Sequence, residues 1–126
     1  MALKFFKCRH CGNVITKLVD STVPVVCCGE KMAELVPNTS EGAGEKHIPI
    51  INVNGSVVDI AVSTVRHPSV PEHFIRFIVL ETSNGFRVKD LTAGETPEAS
   101  FAINEDEKVV AAYEYCNLHG LWKSEI

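Results

Sequence analysis

The sequence lacks any apolar run long enough to cross a bilayer. Its longest are short, such as Phe77–Leu80 and Val109–Ala112, against the ~20 residues a membrane helix needs. The opening Met-Ala-Leu-Lys-Phe-Phe-Lys-Cys is too short in its apolar part for a secretory leader and runs straight into a cysteine motif. The expectation is a cytoplasmic protein with no membrane partner. There is no basic stripe to match a phosphate backbone, and the net charge is −4 over 126 residues, which argues against a nucleic-acid partner. No stretch keeps a helical period for three turns, no segment repeats, and there is no low-complexity tract. What remains is 45% hydrophobic and 22% charged, a composition that fits one ordinary domain, or a small one plus a modest one.

Cysteine is plentiful and oddly distributed. Four of the five fall within Cys8–Cys28, and Cys116 stands alone. In a chain with no leader, such a cluster points to metal rather than to disulfides. Residues 1–36 are too few to bury a large core, so a metal staple suits them. The stretch Pro37–Gly44 is rich in turn formers and reads as a linker. From Glu45 onward, β-branched and aromatic runs alternate with turn signals at 47–53, 56–63, 73–83, 86–91, 99–104, 108–116 and 122–126. Asn54-Gly55 and Asn84-Gly85 read as hairpin turns, because both residue types tolerate positive φ. Val109, Ala111, Tyr113 and Tyr115 fall on one face, as in a half-buried strand. About seven short strands predict a small antiparallel β-sandwich in a mainly β chain.

Two constellations carry chemistry. Cys8-Arg9-His10-Cys11 and Cys27-Cys28 supply four thiolates for one tetrahedral ion. Spacing alone leaves zinc and iron equally open, with a disulfide the less favoured reading. Zinc ribbons separate their second pair by two residues, so the adjacency of Cys27 and Cys28 favours iron. Neighbours in an extended chain point to opposite sides, so the backbone there must be distorted. Gly12 and Gly29 follow the pairs and relieve the turning backbone. His10, inside the first loop, reads as a solvent-facing turn residue.

The second constellation is His47, His67, His73, Cys116 and His119. Each sits at a strand end or in a loop, where ligands gather at one end of a sandwich. Taken singly, each histidine reads as a surface residue and Cys116 as a small buried hydrophobe. Together they offer four imidazoles and one thiolate. Structural zinc takes four donors; five suit an iron with one position open. A zinc-ribbon module joined to a binding domain, or an electron carrier with a structural second site, are the competing readings.

Cys8-x-x-Cys11, Cys27-Cys28, Glu45-Lys46-His47-Ile48-Pro49, His67-Pro68, His73 and Cys116-Asn117-Leu118-His119-Gly120-Leu121-Trp122 together resemble the desulfoferrodoxins, two-iron superoxide reductases, over essentially the whole chain. The resemblance implies a desulforedoxin-like Fe(Cys)4 domain over 1–36, a linker over 37–44, and an immunoglobulin-like β-sandwich over 45–126 holding an Fe(His)4(Cys) centre. It implies a homodimer that reduces superoxide to hydrogen peroxide and is re-reduced by rubredoxin or a similar donor. By position, His47, His67, His73 and His119 would be equatorial ligands and Cys116 the axial one. Glu45 resembles the carboxylate that fills the sixth position after oxidation. Lys46 resembles the lysine that attracts the anion and helps protonate the product.

Overall fold

The computed structural model describes residues 3–39, 47–62 and 67–126. The chain divides into two compact units, Met1–Val36 and Pro37–Ile126. Among the described residues there is no helix, and every strand pairing is antiparallel.

The small unit is built from five very short strands. β1 (Phe5–Lys7) lies between β2 (Val14–Thr16) and β5 (Ala33–Leu35). β3 (Val26–Cys27) and β4 (Glu30–Lys31) form a separate two-residue hairpin. Of its apolar side chains, Phe5, Cys8 and Met32 are buried. So few buried groups cannot offset the ordering of 36 residues, which is why four sulfurs matter here.

The large unit is a sandwich of two sheets. One has the order β10 (Glu98–Ala102), β7 (Val57–Val62), β6 (Pro49–Asn54). The other runs β12 (Gly120–Glu125), β11 (Val109–Cys116), β8 (Ile75–Thr82), β9 (Gly85–Asp90). The mainly β, seven-strand expectation therefore holds. β7 alternates cleanly: Val58, Ile60 and Val62 point into a core shared with Ile75, Ile78, Leu80, Ala99 and Ala112, while Val57 is exposed. Period-two burial of this kind fixes the register, since a one-residue slip would turn the whole set outward. Asn38, inside the span read as a linker, is bonded to β12: its backbone N–H donates to the Leu121 carbonyl (3.0 Å) and its side-chain carbonyl accepts from the Lys123 N–H (2.9 Å).

Two details correct the sequence reading. The hairpins turn on Gly55-Ser56 and Ser83-Asn84, one residue away from the dipeptides expected. Only the glycines carry positive φ, +62° at Gly55 and +142° at Gly85. Asn54 remains in its strand; Asn84 is held instead by its N–H to the Thr82 hydroxyl (3.2 Å). Second, β11 is not half-buried. From Ala111 to Cys116 every residue is buried, because the strand is central in its sheet and covered on both faces. By parity Glu114 shares a face with Ala112 and Cys116, so a carboxyl lies on the core side.

Candidate metal centres

The four N-terminal cysteines come together. Cys8 follows β1, and its knuckle is closed by the Cys8 N–H to the Asn13 carbonyl (2.9 Å) and the Gly12 N–H to the Cys8 carbonyl (3.0 Å). Cys27 ends β3. Cys28 then turns through φ +52° and Gly29 through +73°, the distortion that two adjacent ligands require. A left-handed non-glycine residue costs about 1–2 kcal/mol, which the local fold must offset. All four sulfurs lie within 4.8 Å of one another, and Cys11 Sγ is 3.6 Å from Cys27 Sγ. A tetrahedral ion with metal–sulfur bonds near 2.3 Å needs sulfurs ~3.8 Å apart, so the donor set fits one ion.

Hydrogen bonds reach the sulfurs as well. The Cys11 N–H points at Cys8 Sγ (3.5 Å), and the Asn13 amide donates to Cys27 Sγ (3.6 Å). The backbone N–H groups of Cys11 and His10 pull the Cys8 thiol down to about 6. Proton sharing with Cys11, Cys8 and Cys27 pushes the Cys28 thiol up to about 12. Four thiolates cannot coexist this closely without a cation, and a bound metal reverses that preference. His10 stays out of the cluster. Its ring is 2.7 Å from Glu30, which also accepts from Arg9 Nε at 2.8 Å. This exposed clasp joins the first cysteine loop to the hairpin carrying the second pair.

The second group forms around the end of β11. Cys116 is the last residue of that strand, and His119 lies in the turn before β12. His73 is held by a two-way backbone bridge to Val70 (2.9 and 3.1 Å), just before β8. His47 precedes β6 by two residues, and His67 opens the stretch leading to Val70. The donor atoms of His47, His67, His73 and Cys116 all lie within 4.8 Å of one another. His119 closes the ring. In cyclic order the imidazole centroids are separated by 4.8 Å (His47–His67), 4.7 Å (His67–His73), 5.1 Å (His73–His119) and 4.9 Å (His119–His47).

Four nearly equal edges are the signature of four rings aimed at a common centre. Metal–imidazole bonds near 2.1 Å place adjacent nitrogens of a square set ~3.0 Å apart, and His47 Nε2 lies 3.2 Å from His67 Nε2. The protonation chemistry agrees. Burial holds His67 down to about 4, so its imidazole is neutral and able to ligate at neutral pH. The His67 Nδ1 is 2.6 Å from the Pro68 carbonyl, which leaves Nε2 as the inward donor. Burial raises the Cys116 thiol; ionising a fully buried sulfur demands a cation beside it.

Three neighbours of this group were not assigned roles from sequence. Trp122 stacks on His47. Asn117 bonds to the chain on both sides of His73. Glu114 is fully buried, neither of its oxygens has a hydrogen-bond partner among the described residues, and burial pushes it up to about 9. Asn117 and Trp122 stand inside the Cys-Asn-Leu-His-Gly-Leu-Trp run, which was the available signal. Glu114 was hidden by reading β11 as one-faced. Glu45 and Lys46, the two other candidates, lie outside the described residues.

Comparison with known proteins supports the same chemistry. The sequence profile of the Desulfoferrodoxin family matches residues 39–125. The chain is 42% identical over 122 residues to the desulfoferrodoxin of Nitratidesulfovibrio vulgaris, covering 97% of this chain and 95% of that one. In fold it resembles the superoxide reductase of Treponema pallidum, with TM-score 0.84 and 35% identity over 99% of this chain and 100% of that one. It also resembles the superoxide reductase (1Fe-SOR) of Giardia intestinalis, with TM-score 0.56 and 34% identity over 65% of this chain and 97% of that one. The four-cysteine and four-histidine-plus-cysteine groups fit two iron centres.

Proposed function

Because this chain belongs to the desulfoferrodoxin family, we propose that it is a superoxide reductase, converting superoxide, one electron and two protons into hydrogen peroxide. The observation that carries the reading is the closed ring of four imidazoles beside the buried thiol of Cys116. His47, His67, His73 and His119 would hold the metal, with Cys116 as fifth donor. Iron(II) held by these residues would supply the electron and a Lewis-acid centre for the anion.

The protein's own residues do the rest. Burial keeps His67 neutral, so no proton competes with the metal for its ring. Cys116, as a thiolate, pushes electron density toward the metal and favours donation. The net charge of −4 opposes an anionic substrate. A lysine near the site counters it, since a unit charge at about 4 Å in an effective dielectric near 20 is worth on the order of 4 kcal/mol. Lys46, adjacent to His47, is our candidate for that charge, and Glu45 for a carboxylate that would bind the oxidised iron. Protons come from solvent.

The same proposal makes residues 1–36 a desulforedoxin-like domain with its iron on Cys8, Cys11, Cys27 and Cys28, and residues 45–126 the immunoglobulin-like reductase domain. It places the protein in the cytoplasm as a homodimer, re-reduced by rubredoxin or a similar carrier. Exposed Leu18, Val19, Val23 and Val26 offer the small unit an apolar surface for such contacts. No described helix is long and apolar enough to cross a membrane.

Rapid mixing of the reduced protein with superoxide tests the activity. One peroxide should form per superoxide consumed, with no dioxygen released. Dioxygen release with half that peroxide yield would mean dismutation and would overturn the assignment.

A further inference from the structure

We propose that Asn117 is the positioning residue that locks the His73 loop to the Cys116–His119 turn, an inference that rests on the reading of the second group as an iron centre. Asn117 follows Cys116 and precedes His119 by two residues. Its side-chain carbonyl accepts from the Phe74 N–H at 3.0 Å. Its amide group donates to the Glu72 carbonyl at 3.1 Å. Its backbone N–H donates to the Phe74 carbonyl at 3.3 Å. Glu72 and Phe74 are the two residues that flank His73.

The sheet explains why a side chain is needed there. β11 and β8 pair regularly from Ala111 to Tyr115, and the register shifts between Tyr115 and Cys116, where Cys116 meets Ile75. Beyond that point the paired strands give way to a single backbone bond, from the Asn117 N–H to the Phe74 carbonyl, and His73 lies two residues before β8 begins. The Asn117 amide takes over as a short artificial rung. It offers an acceptor and a donor on one fork, matching an N–H and a C=O two residues apart. Asp lacks the donor, Gln is one methylene too long, and Ser cannot span both. The His73 backbone is thereby fixed from two directions, by Asn117 through its neighbours and by Val70 directly. Three of the five donors, His73, Cys116 and His119, become one rigid unit. A ligand set held this way loses little freedom on binding metal.

The test compares the parent with Asn117→Ala and Asn117→Asp, each loaded with iron at both centres. Two quantities are read: the rate at which a chelator removes iron from the second centre, and the electron paramagnetic resonance of that centre when oxidised. The Fe(Cys)4 iron in the same tube is the internal control. Asn117→Ala should lose second-centre iron about 10- to 100-fold faster, the usual consequence of removing an outer-sphere partner, with an altered or broadened resonance and unchanged first-centre loss. Asn117→Asp, which keeps the bond from Phe74, should fall between. Parental iron loss and resonance in both variants overturn the assignment, whatever happens to their melting temperatures. Should Asn117→Ala not fold, Asn117→Asp decides alone on the same two readouts. A parent chain holding no iron beyond the first centre would instead defeat the functional reading on which this inference stands.

Discussion

Trp122 stacks on His47 with ring centroids 4.9 Å apart and planes 17° apart, and its indole N–H donates to the His119 carbonyl at 3.1 Å. One side chain thus supports two members of the imidazole ring that are 72 residues apart in sequence. Trp122 is 5% exposed, so its removal costs packing as well as position. Trp122→Ala should destabilise the fold by about 3–5 kcal/mol, measured by denaturant titration of the metal-free protein. Trp122→Phe should cost less, keeping the stack but releasing the His119 carbonyl. Equal losses in the two variants would mean that stacking on His47 contributes nothing.

The first centre depends on a backbone that few residues tolerate. Gly29 has φ +73° and open space around a notional Cβ. Gly29→Ala therefore meets no clash but must adopt a left-handed conformation, costing about 1–2 kcal/mol. Asn, which enters that region more readily, should cost less. Chelator competition at the Fe(Cys)4 absorption checks the order Gly, Asn, Ala.

Away from both centres, Glu107 makes a pH-dependent contribution to the sandwich. The Arg87 guanidinium (2.6 and 2.9 Å), then the Thr82 hydroxyl, then the Asn104 N–H (3.0 Å) hold its carboxyl down to about 2. A carboxylate with a lowered folded value contributes in full above its ordinary value near 4.5. The contribution fades as pH falls from there toward about 2. The melting-temperature gap between the parent and Glu107→Gln should accordingly be widest above that window and close within it. A gap that stays constant across the window would contradict the pairing.

Lys46 is assigned through its place beside His47. Lys46→Ala should lower the second-order rate with superoxide and flatten its dependence on ionic strength, because a steering charge is lost. An unchanged rate at low salt removes this role. The neighbouring Glu45→Ala should alter the absorption of the oxidised second centre while leaving its iron bound.

The strands of the large unit were legible because they run five to eight residues, long enough for period two to emerge. The strands of the small unit were not, since two or three residues carry no period. The metal-ligand candidates stood out because sulfur and imidazole at turn positions have few structural uses. Their convergence did not: the edge between His73 and His119 spans 46 residues and is made by the fold. Cys28 shows the middle case. Adjacency to Cys27 implied distorted backbone, and the left-handed φ of +52° supplies it. Glu114 was not legible for a physical reason: parity puts it opposite Tyr113 and Tyr115, and in a central strand both faces are interior.

The account turns on Cys116 sharing one iron with the four imidazoles. The most direct measurement is the visible spectrum of the oxidised, iron-loaded parent minus that of Cys116→Ser. The difference should be a thiolate-to-iron charge-transfer band belonging to the second centre, with the Fe(Cys)4 bands cancelling. Superimposable spectra would place Cys116 off the metal and contradict the central claim.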